Sequence, residues 1–187
     1  PGALMSMIGF TSMKELSLSE TALSPGKSLS MLHHKVSSAF SGNQPETSMV
    51  TAMDIGYCVL DRINGKLQFA GGHIDILIAK WNNNKKSIIE IKGNNKRVGN
   101  KLQGDSFNET EIEVSTGDLL YLFSDGISDQ FNSDKNEKFS KRRVKELIYF
   151  ISDFPFEVQS NLILSRFYEW KGSSEQTDDI TVLGVKV

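Results

Sequence analysis

Leu119-Leu120-Tyr121-Leu122-Phe123-Ser124-Asp125-Gly126 is the stretch on which the fold turns. An apolar run ends abruptly in an Asp-Gly corner. A short apolar run bounded by turn residues predicts a buried strand. The corner then sets a carboxylate at the strand's mouth, where the rigid backbone fixes its direction. Far downstream the arrangement returns in reverse order. Thr177-Asp178-Asp179 leads into Ile180-Thr181-Val182-Leu183-Gly184-Val185, a run rich in β-branched residues. That composition predicts a second strand. One acidic corner is a strand exit and the other a strand entrance. On neighbouring strands the two would aim at one point, as a site for a hard cation requires. Taken singly, each corner is also an ordinary polar turn, because Asp and Gly are common turn residues.

Outward from this core the chain keeps a strand pattern toward its N-terminal side. Residues 109–115 alternate, with Ile112 and Val114 on one side and Glu111 and Glu113 on the other, and Thr116-Gly117 turns into the buried strand at 118–124. Residues 93–108 are irregular and rich in Gly, Asn and Lys. Residues 74–81 and 87–92 read as a hairpin across the polar Asn82-Asn83-Asn84-Lys85-Lys86. A second hairpin joins a long strand at 49–62 to 66–71 through Asn64-Gly65, a strong turn signal. Ser41 to Thr47 is a polar loop. Before it, Ser24-Pro25 supplies an N-cap followed by proline at the first helical position. The helix it opens runs to about Phe40, with Leu29, Leu32, Val36 and Phe40 at helical spacing. His33 and His34 flank that stripe and read as surface or boundary residues, since neighbours on a helix point about 100° apart. Residues 2–18 predict a first helix with Leu4, Met7, Ile8 and Leu16 roughly on one side.

Beyond Asp125 the chain is polar through Glu137. Ser140 can cap a helix from 141 to about 152, facing inward with Val144, Leu147, Ile148 and Ile151. Pro155 opens another to about Trp170, with Val158, Leu162, Phe167 and Trp170 toward the core. Residues 180–187 finish as a strand. Strands dominate the middle, with helix pairs at the start and before the last strand, so the class is α+β.

At 187 residues the chain fits a single domain spanning 1–187. Hydrophobic content of 39% and charged content of 24% fit a globular protein, not a disordered one. A net charge of −2 argues against broad electrostatic binding to nucleic acid. Lys141-Arg142-Arg143 and Lys96-Arg97 are basic runs too short for a typical patch. The one cysteine, Cys58, lies in a strand-like run and reads as a small hydrophobe. A structural zinc site does not fit one Cys and three His. No stretch approaches the about 20 apolar residues of a membrane span.

Several segments together resemble the metal-dependent serine/threonine phosphatases of the PPM (PP2C-like) group, in the stage II sporulation protein E and sigma-factor regulator branch. Gly117-Asp118-Leu119-Leu120-Tyr121-Leu122-Phe123-Ser124-Asp125-Gly126-Ile127-Ser128-Asp129-Gln130 is similar to that group's Gly-Asp…Thr/Ser-Asp-Gly core. Gln176-Thr177-Asp178-Asp179-Ile180-Thr181-Val182 is similar to its closing Asp-Asp-Ile-Thr strand. Phe69-Ala70-Gly71-Gly72-His73 resembles its Asn-Ala-Gly-His segment, and Pro1 to Met7 the helix after its Asp-Gly-His-Gly metal loop. The resemblance implies a truncated α-β-β-α sandwich of mostly antiparallel sheets with helix pairs outside. It also implies that a strand with a Gly-Asp ligand, and the metal loop itself, belong ahead of Pro1.

The same resemblance implies the chemistry. Two Mg²⁺ or Mn²⁺ ions serve the intact domain, and carboxylates suit such hard ions. Asp125 is the expected ligand. Asp178 is the better second ligand, with Asp179 the alternative. Asp129 either touches an accessory metal or caps a turn. Gly126 lets the backbone approach the site, and His73 is either a general acid or the holder of a structural hydrogen bond. The implied substrate is a phosphorylated partner protein of the anti-sigma-factor antagonist type. An upstream sensor and a cytoplasmic setting are implied as well, with a possible membrane anchor further upstream in the parent. Two readings compete: a non-catalytic PPM-like module that only binds partners, and a β-rich ligand-binding domain. The acidic corners count against the first, and a wide separation of Asp125 from Asp178 would favour the second.

Strands that lack their opening neighbours should self-associate through an edge or an apolar face. A homodimer or larger species is therefore the expected form. Sedimentation velocity checks this, and a compact monomer at high concentration contradicts it.

Overall fold

The computed structural model of the chain describes residues 2–17, 23–40, 52–83, 85–100 and 104–187. The loop expected at Ser41 to Thr47 lies outside them. The described residues form mixed helix and antiparallel sheet in two compact units.

The first unit comprises residues 1–75 and 92–113. It holds helices α1 (Gly2–Ser17) and α2 (Pro25–Ala39) and strands β1 (Ile55–Asp61), β2 (Lys66–Gly72) and β5 (Thr110–Glu113), the sheet running in the order β1-β2-β5. Leu29, Leu32 and Val36 of α2 are fully buried and pack with Ala70, Val98 and Phe107, which is the stripe read from the sequence. Pro25 stands at the first turn of α2 after Ser24 in extended conformation. The inward side of α1 differs from expectation. Met5, Ile8 and Met13 meet the core, while Leu4, Met7 and Phe10 are exposed. Apolar residues on several sides of α1 give no unique stripe, so packing against α2 decides its rotation.

Of the strand expected at 49–62, residues 49–51 lie outside the described ones, and β1 starts at Ile55. Before it, Met53 makes an isolated antiparallel bridge to Val98. The β1–β2 hairpin closes at Asp61↔Lys66, and Gly65 takes the left-handed φ of 63° that the Asn-Gly signal demands. The Asp61 carboxylate accepts from the backbone N–H groups of Ile63 and Asn64, at 3.0 and 2.9 Å, and locks the turn.

The second unit comprises residues 76–91 and 114–187. Strands β3 (Ile76–Asn82), β4 (Lys85–Ile91), β6 (Leu119–Phe123) and β9 (Val182–Lys186) form an antiparallel sheet in the order β4-β3-β6-β9. The run 119–123 is thus a central strand, as its unbroken apolar character predicts. Helices α4 (Ser140–Ile151) and α5 (Phe156–Lys171) cover one face of this sheet. Val144, Leu147, Ile148 and Ile151 of α4 are all buried there, together with Ile163, Phe167 and Trp170 of α5. Val158, expected inside, is 41% exposed, and Gln159 takes the inward position. Ser140 is the first helical residue, at φ 75°, not the cap. The polar stretch after Asp125 holds a short helix, α3 (Asp125–Asp129), and a small ribbon of β7 (Phe131–Asn132) and β8 (Glu137–Lys138).

Tyr121 is 1% exposed, and its hydroxyl donates to Gln159 Oε1. Burial pushes its phenol up to about 12. The folded form therefore holds that proton across a window where the unfolded chain, with a pKa of about 10, has lost it. Stability from this group is whole below pH about 10 and is lost as pH rises toward about 12. Tyr121→Phe should lower stability at pH 7 by about 1–3 kcal/mol, because Gln159 loses its donor. It should also flatten the alkaline fall. Urea melts from neutral pH through that window check both signs.

Candidate metal centre

The two acidic corners meet. Pairing of β6 with β9 ends at Phe123↔Val182, so the residues just beyond each strand lie side by side. Ser124 fastens them. Its N–H donates to Thr181 O at 3.0 Å, its hydroxyl donates to Asp179 O at 3.1 Å, and the same oxygen accepts from Thr181 N–H at 2.9 Å. Gly126 then presses against the other corner. A Cβ placed there would lie 2.3 Å from the Asp179 carbonyl oxygen, closer than any real contact allows. The glycine is required by that approach, because the backbone comes too near for a side chain.

Asp125 opens α3 and is half-buried, while Asp178 and Asp179 are exposed. Asp178 Oδ1 accepts from the Asp179 N–H at 2.7 Å, which fixes the first carboxylate of the pair in the turn. Asp129 sits at the far end of α3 and makes an exposed ion pair with Lys138 at 3.3 Å. The donors are hard oxygens at one end of a sheet, the chemistry that Mg²⁺ and Mn²⁺ accept. Among the described residues no three His, Cys, Asp or Glu side chains gather as a metal-holding group. The residues present thus fit such an ion as part of a shell, with one or two carboxylates and the rest water or further ligands. His73 belongs to the other compact unit, at the end of β2, with φ 61° and its Nδ1 2.9 Å from Asp54 Oδ2.

One residue that positions the corners was not found from the sequence. Gln130, fully buried just after α3, reaches the loop before the second corner. Its Nε2 donates to Glu175 O at 2.8 Å, and its Oε1 accepts from Thr177 N–H at 3.3 Å. A glutamine after a turn carries no sequence signal for such a strut.

The family model for stage II sporulation protein E (SpoIIE) matches residues 1–187. The chain belongs to the SpoIIE family. Solved structures agree on the fold. The SiaA-PP2C domain of Pseudomonas aeruginosa superposes with a TM-score of 0.85 at 26% identity, over 100% of this chain and 70% of that one. The PP2C phosphatase domain of SpoIIE from Bacillus subtilis, solved with a fragment of its regulatory domain, gives 0.70 at 15% identity, over 98% and 50%. The catalytic domain of the serine/threonine phosphatase PstP, in complex with 2 manganese ions, gives 0.59 at 13% identity, over 97% and 80%. No match is found among curated protein sequences. The mixed helix and antiparallel sheet architecture is therefore that of the PP2C-type fold.

Gly126→Ala should force the SpoIIE-type corners apart. The expected loss is about 1–3 kcal/mol or more, the cost of overpacking against backbone that cannot yield. Chemical denaturation measures it, and a neutral result would mean that the corners do not approach as described.

Proposed function

We propose that this chain is the C-terminal part of a metal-dependent protein phosphatase domain. Its parent hydrolyses phosphoserine or phosphothreonine on a regulatory partner protein in bacterial signalling. The carrying observation is the meeting of the two acidic corners at Ser124 and Gly126, in a chain of the SpoIIE family. The manganese in PstP and the regulatory fragment attached to Bacillus subtilis SpoIIE support the metal and an upstream sensor by likeness.

Phosphate monoesters hydrolyse very slowly unaided, so large transition-state stabilisation is needed. When bound, a pair of Mg²⁺ or Mn²⁺ ions supplies an activated water and neutralises phosphoryl charge. In this reading Asp125 and Asp178 hold metal, with Asp179 as the alternative to the second. Asp129 serves an accessory position when Lys138 releases it. Gly126 keeps the second corner's backbone against the first. His73 donates a proton. The remaining ligands come from the Asp-Gly-His-Gly loop that the family pattern puts ahead of Pro1. The substrate is a phosphorylated anti-sigma-factor antagonist or a protein of that kind. A module that merely binds partners would have no use for the paired acidic corners.

The 187-residue chain should hydrolyse p-nitrophenyl phosphate with Mn²⁺ very poorly. A form extended upstream through the expected loop should turn it over, and Asp125→Asn in that form should abolish the activity. Robust turnover by the short chain would show that the missing ligands are not needed. An extended form with no Mn²⁺-dependent turnover would sink the phosphatase reading.

A further inference from the structure

Asp178 stands in a stretch that no apolar side chain anchors. Glu175-Gln176-Thr177-Asp178-Asp179, between α5 and β9, is exposed throughout. Its place therefore rests on hydrogen bonds, and the second unit supplies them from two points. On one side of Asp178, the Ser124 hydroxyl donates to Asp179 O at 3.1 Å. On the other, Gln130 Oε1 accepts from the Thr177 N–H at 3.3 Å, and Gln130 Nε2 donates to Glu175 O at 2.8 Å. Asp178 is thus bracketed, with a hold on the residue before it and on the residue after it. The bonds that Asp178 itself makes, from the Asp179 N–H to Oδ1 and from Gln176 Nε2 to its carbonyl, lie within the stretch and cannot place it on the sheet.

Both holds come from one short piece of chain. Ser124 precedes α3 and Gln130 follows it, while Asp125 opens the helix. Residues 124–130 therefore carry the first acidic corner and grip the second at two points. The piece is itself fixed from inside. Gly126, Ile127 and Ser128 are buried, and Ile127 belongs to the core under α4 and α5. Gln130 is 0% exposed, and its carbonyl accepts from Trp170 Nε1 and the Phe139 N–H. Its amide is suited to the task in a way few side chains are. It must offer a donor to a carbonyl and an acceptor to an N–H two residues further on, and a second donor goes to Phe131 O at 2.9 Å. A carboxylate lacks the donors, and a thioether lacks nearly all of this capacity.

We infer that Gln130 is a positioning residue for a metal ion at the second corner: it holds the backbone on which Asp178 stands, so that this carboxylate meets the ion already placed. The inference rests on the phosphatase reading above, in which Asp178 holds metal. Mg²⁺ demands near-ideal ligand geometry. A carboxylate on an untethered exposed loop would have to be ordered as the ion binds, and that cost subtracts from affinity. Gln130 removes the cost before the ion arrives. Groups that orient a metal ligand without touching the metal commonly alter affinity by about 10- to 100-fold.

Two measurements test this. The first is amide hydrogen exchange of the 187-residue chain without metal. The Thr177 N–H should be protected in the wild type and should lose that protection in Gln130→Met, which keeps the side chain's length and removes its amide. A Thr177 N–H that exchanges as freely as an open loop in the wild type overturns the proposal, whether or not the variant folds.

The second is Mn²⁺ affinity of the domain extended upstream, read by electron paramagnetic resonance of the free ion. Gln130→Met should weaken binding by about 10-fold or more. Tyr121→Phe loses a different buried hydrogen bond of the same unit, to Gln159, and controls for lost stability. It should change the affinity by less than about twofold, as a site sharing no partner with the loop does. At saturating Mn²⁺ the turnover of p-nitrophenyl phosphate by Gln130→Met should return to within about threefold of wild type, because every ligand is still present. An unchanged affinity in Gln130→Met, an equal loss in Tyr121→Phe, or a turnover that excess Mn²⁺ does not restore overturns the proposal. A wild-type domain that binds Mn²⁺ without hydrolysing the ester sinks the phosphatase reading, and the affinity comparison still decides the role of Gln130. A wild-type domain that binds no Mn²⁺ overturns both.

Discussion

The Ser124 clasp is the constraint that brings the two acidic corners of the second unit together. A single serine uses its backbone N–H and both roles of its hydroxyl on the chain entering β9. The Ser124 N–H and hydroxyl, the Thr181 N–H and carbonyl and the Asp179 carbonyl are thereby satisfied, as a close approach of two backbones requires. Because Ser124 directly follows β6, the position of the clasp is set by the β6–β9 register, Phe123↔Val182. A slip of one residue would turn Ser124 to the opposite face and part the corners. The buried apolar run fixes that register. Leu119 and Tyr121 must face α4 and α5, and the alternation then dictates where Ser124 and Asp125 fall. The site's geometry is in this sense a by-product of core packing five residues upstream.

The clasp alone would leave the loop before Asp178 loose. Gln130 supplies the second hold, and it is itself held. Its carbonyl accepts from Trp170 Nε1 at 3.2 Å and from the Phe139 N–H at 2.9 Å. Trp170 packs edge-on against Phe139 in the α4–α5 core. The support for the second corner thus runs from a buried tryptophan through one amide side chain to two backbone groups. A buried amide so fully used is worth more than its pairwise contacts, since losing any partner strands a polar atom inside.

What the sequence showed, and what it hid, follows from how local each signal is. The central strand, both hairpins, the inward face of α4 and the stripe of α2 rest on periodicity and turn residues, which a chain carries within a few positions. The crowding of Gly126 was not visible, because the backbone it meets, at Asp179, lies far away in sequence. The rotation of α1 was not, since Leu4, Met5, Met7, Ile8 and Phe10 offer apolar residues on several sides. Nor was the burial of His33. It was read as a boundary residue from its place beside an apolar stripe. In the structure it is 1% exposed, and the Gly99 N–H and Asp105 provide the partners that make burial tolerable. Desolvation then holds its imidazole below the usual histidine range, despite the Asp105 carboxylate. Gln130 escaped for the same reason: it acts on a segment far away in sequence, and no spacing records that.

The aspartates themselves show how environment separates support from chemistry. Asp118 precedes the same strand that Asp125 follows, yet it is 3% exposed. It accepts from the Ser115 N–H at 2.9 Å and lies 3.5 Å from the Lys80 ammonium, so its charge is spent inside the fold. Asp61 spends its charge on a turn, where hydrogen bonds from Asn64 hold the carboxyl below the usual range. Both are structural carboxylates, neutralised or satisfied by what surrounds them. Asp125 and the pair Asp178-Asp179 stand instead at strand ends that Ser124 and Gly126 bring together, with one Asp178 oxygen held by the Asp179 N–H. Asp178 and Asp179 are exposed and Asp125 half-buried, so their carboxylates keep the access to solvent that the better-buried Asp118 lacks, although its Gly-Asp signature is just as conspicuous in the sequence. That difference supports the proposed placing of a metal at the corners and not at Asp118.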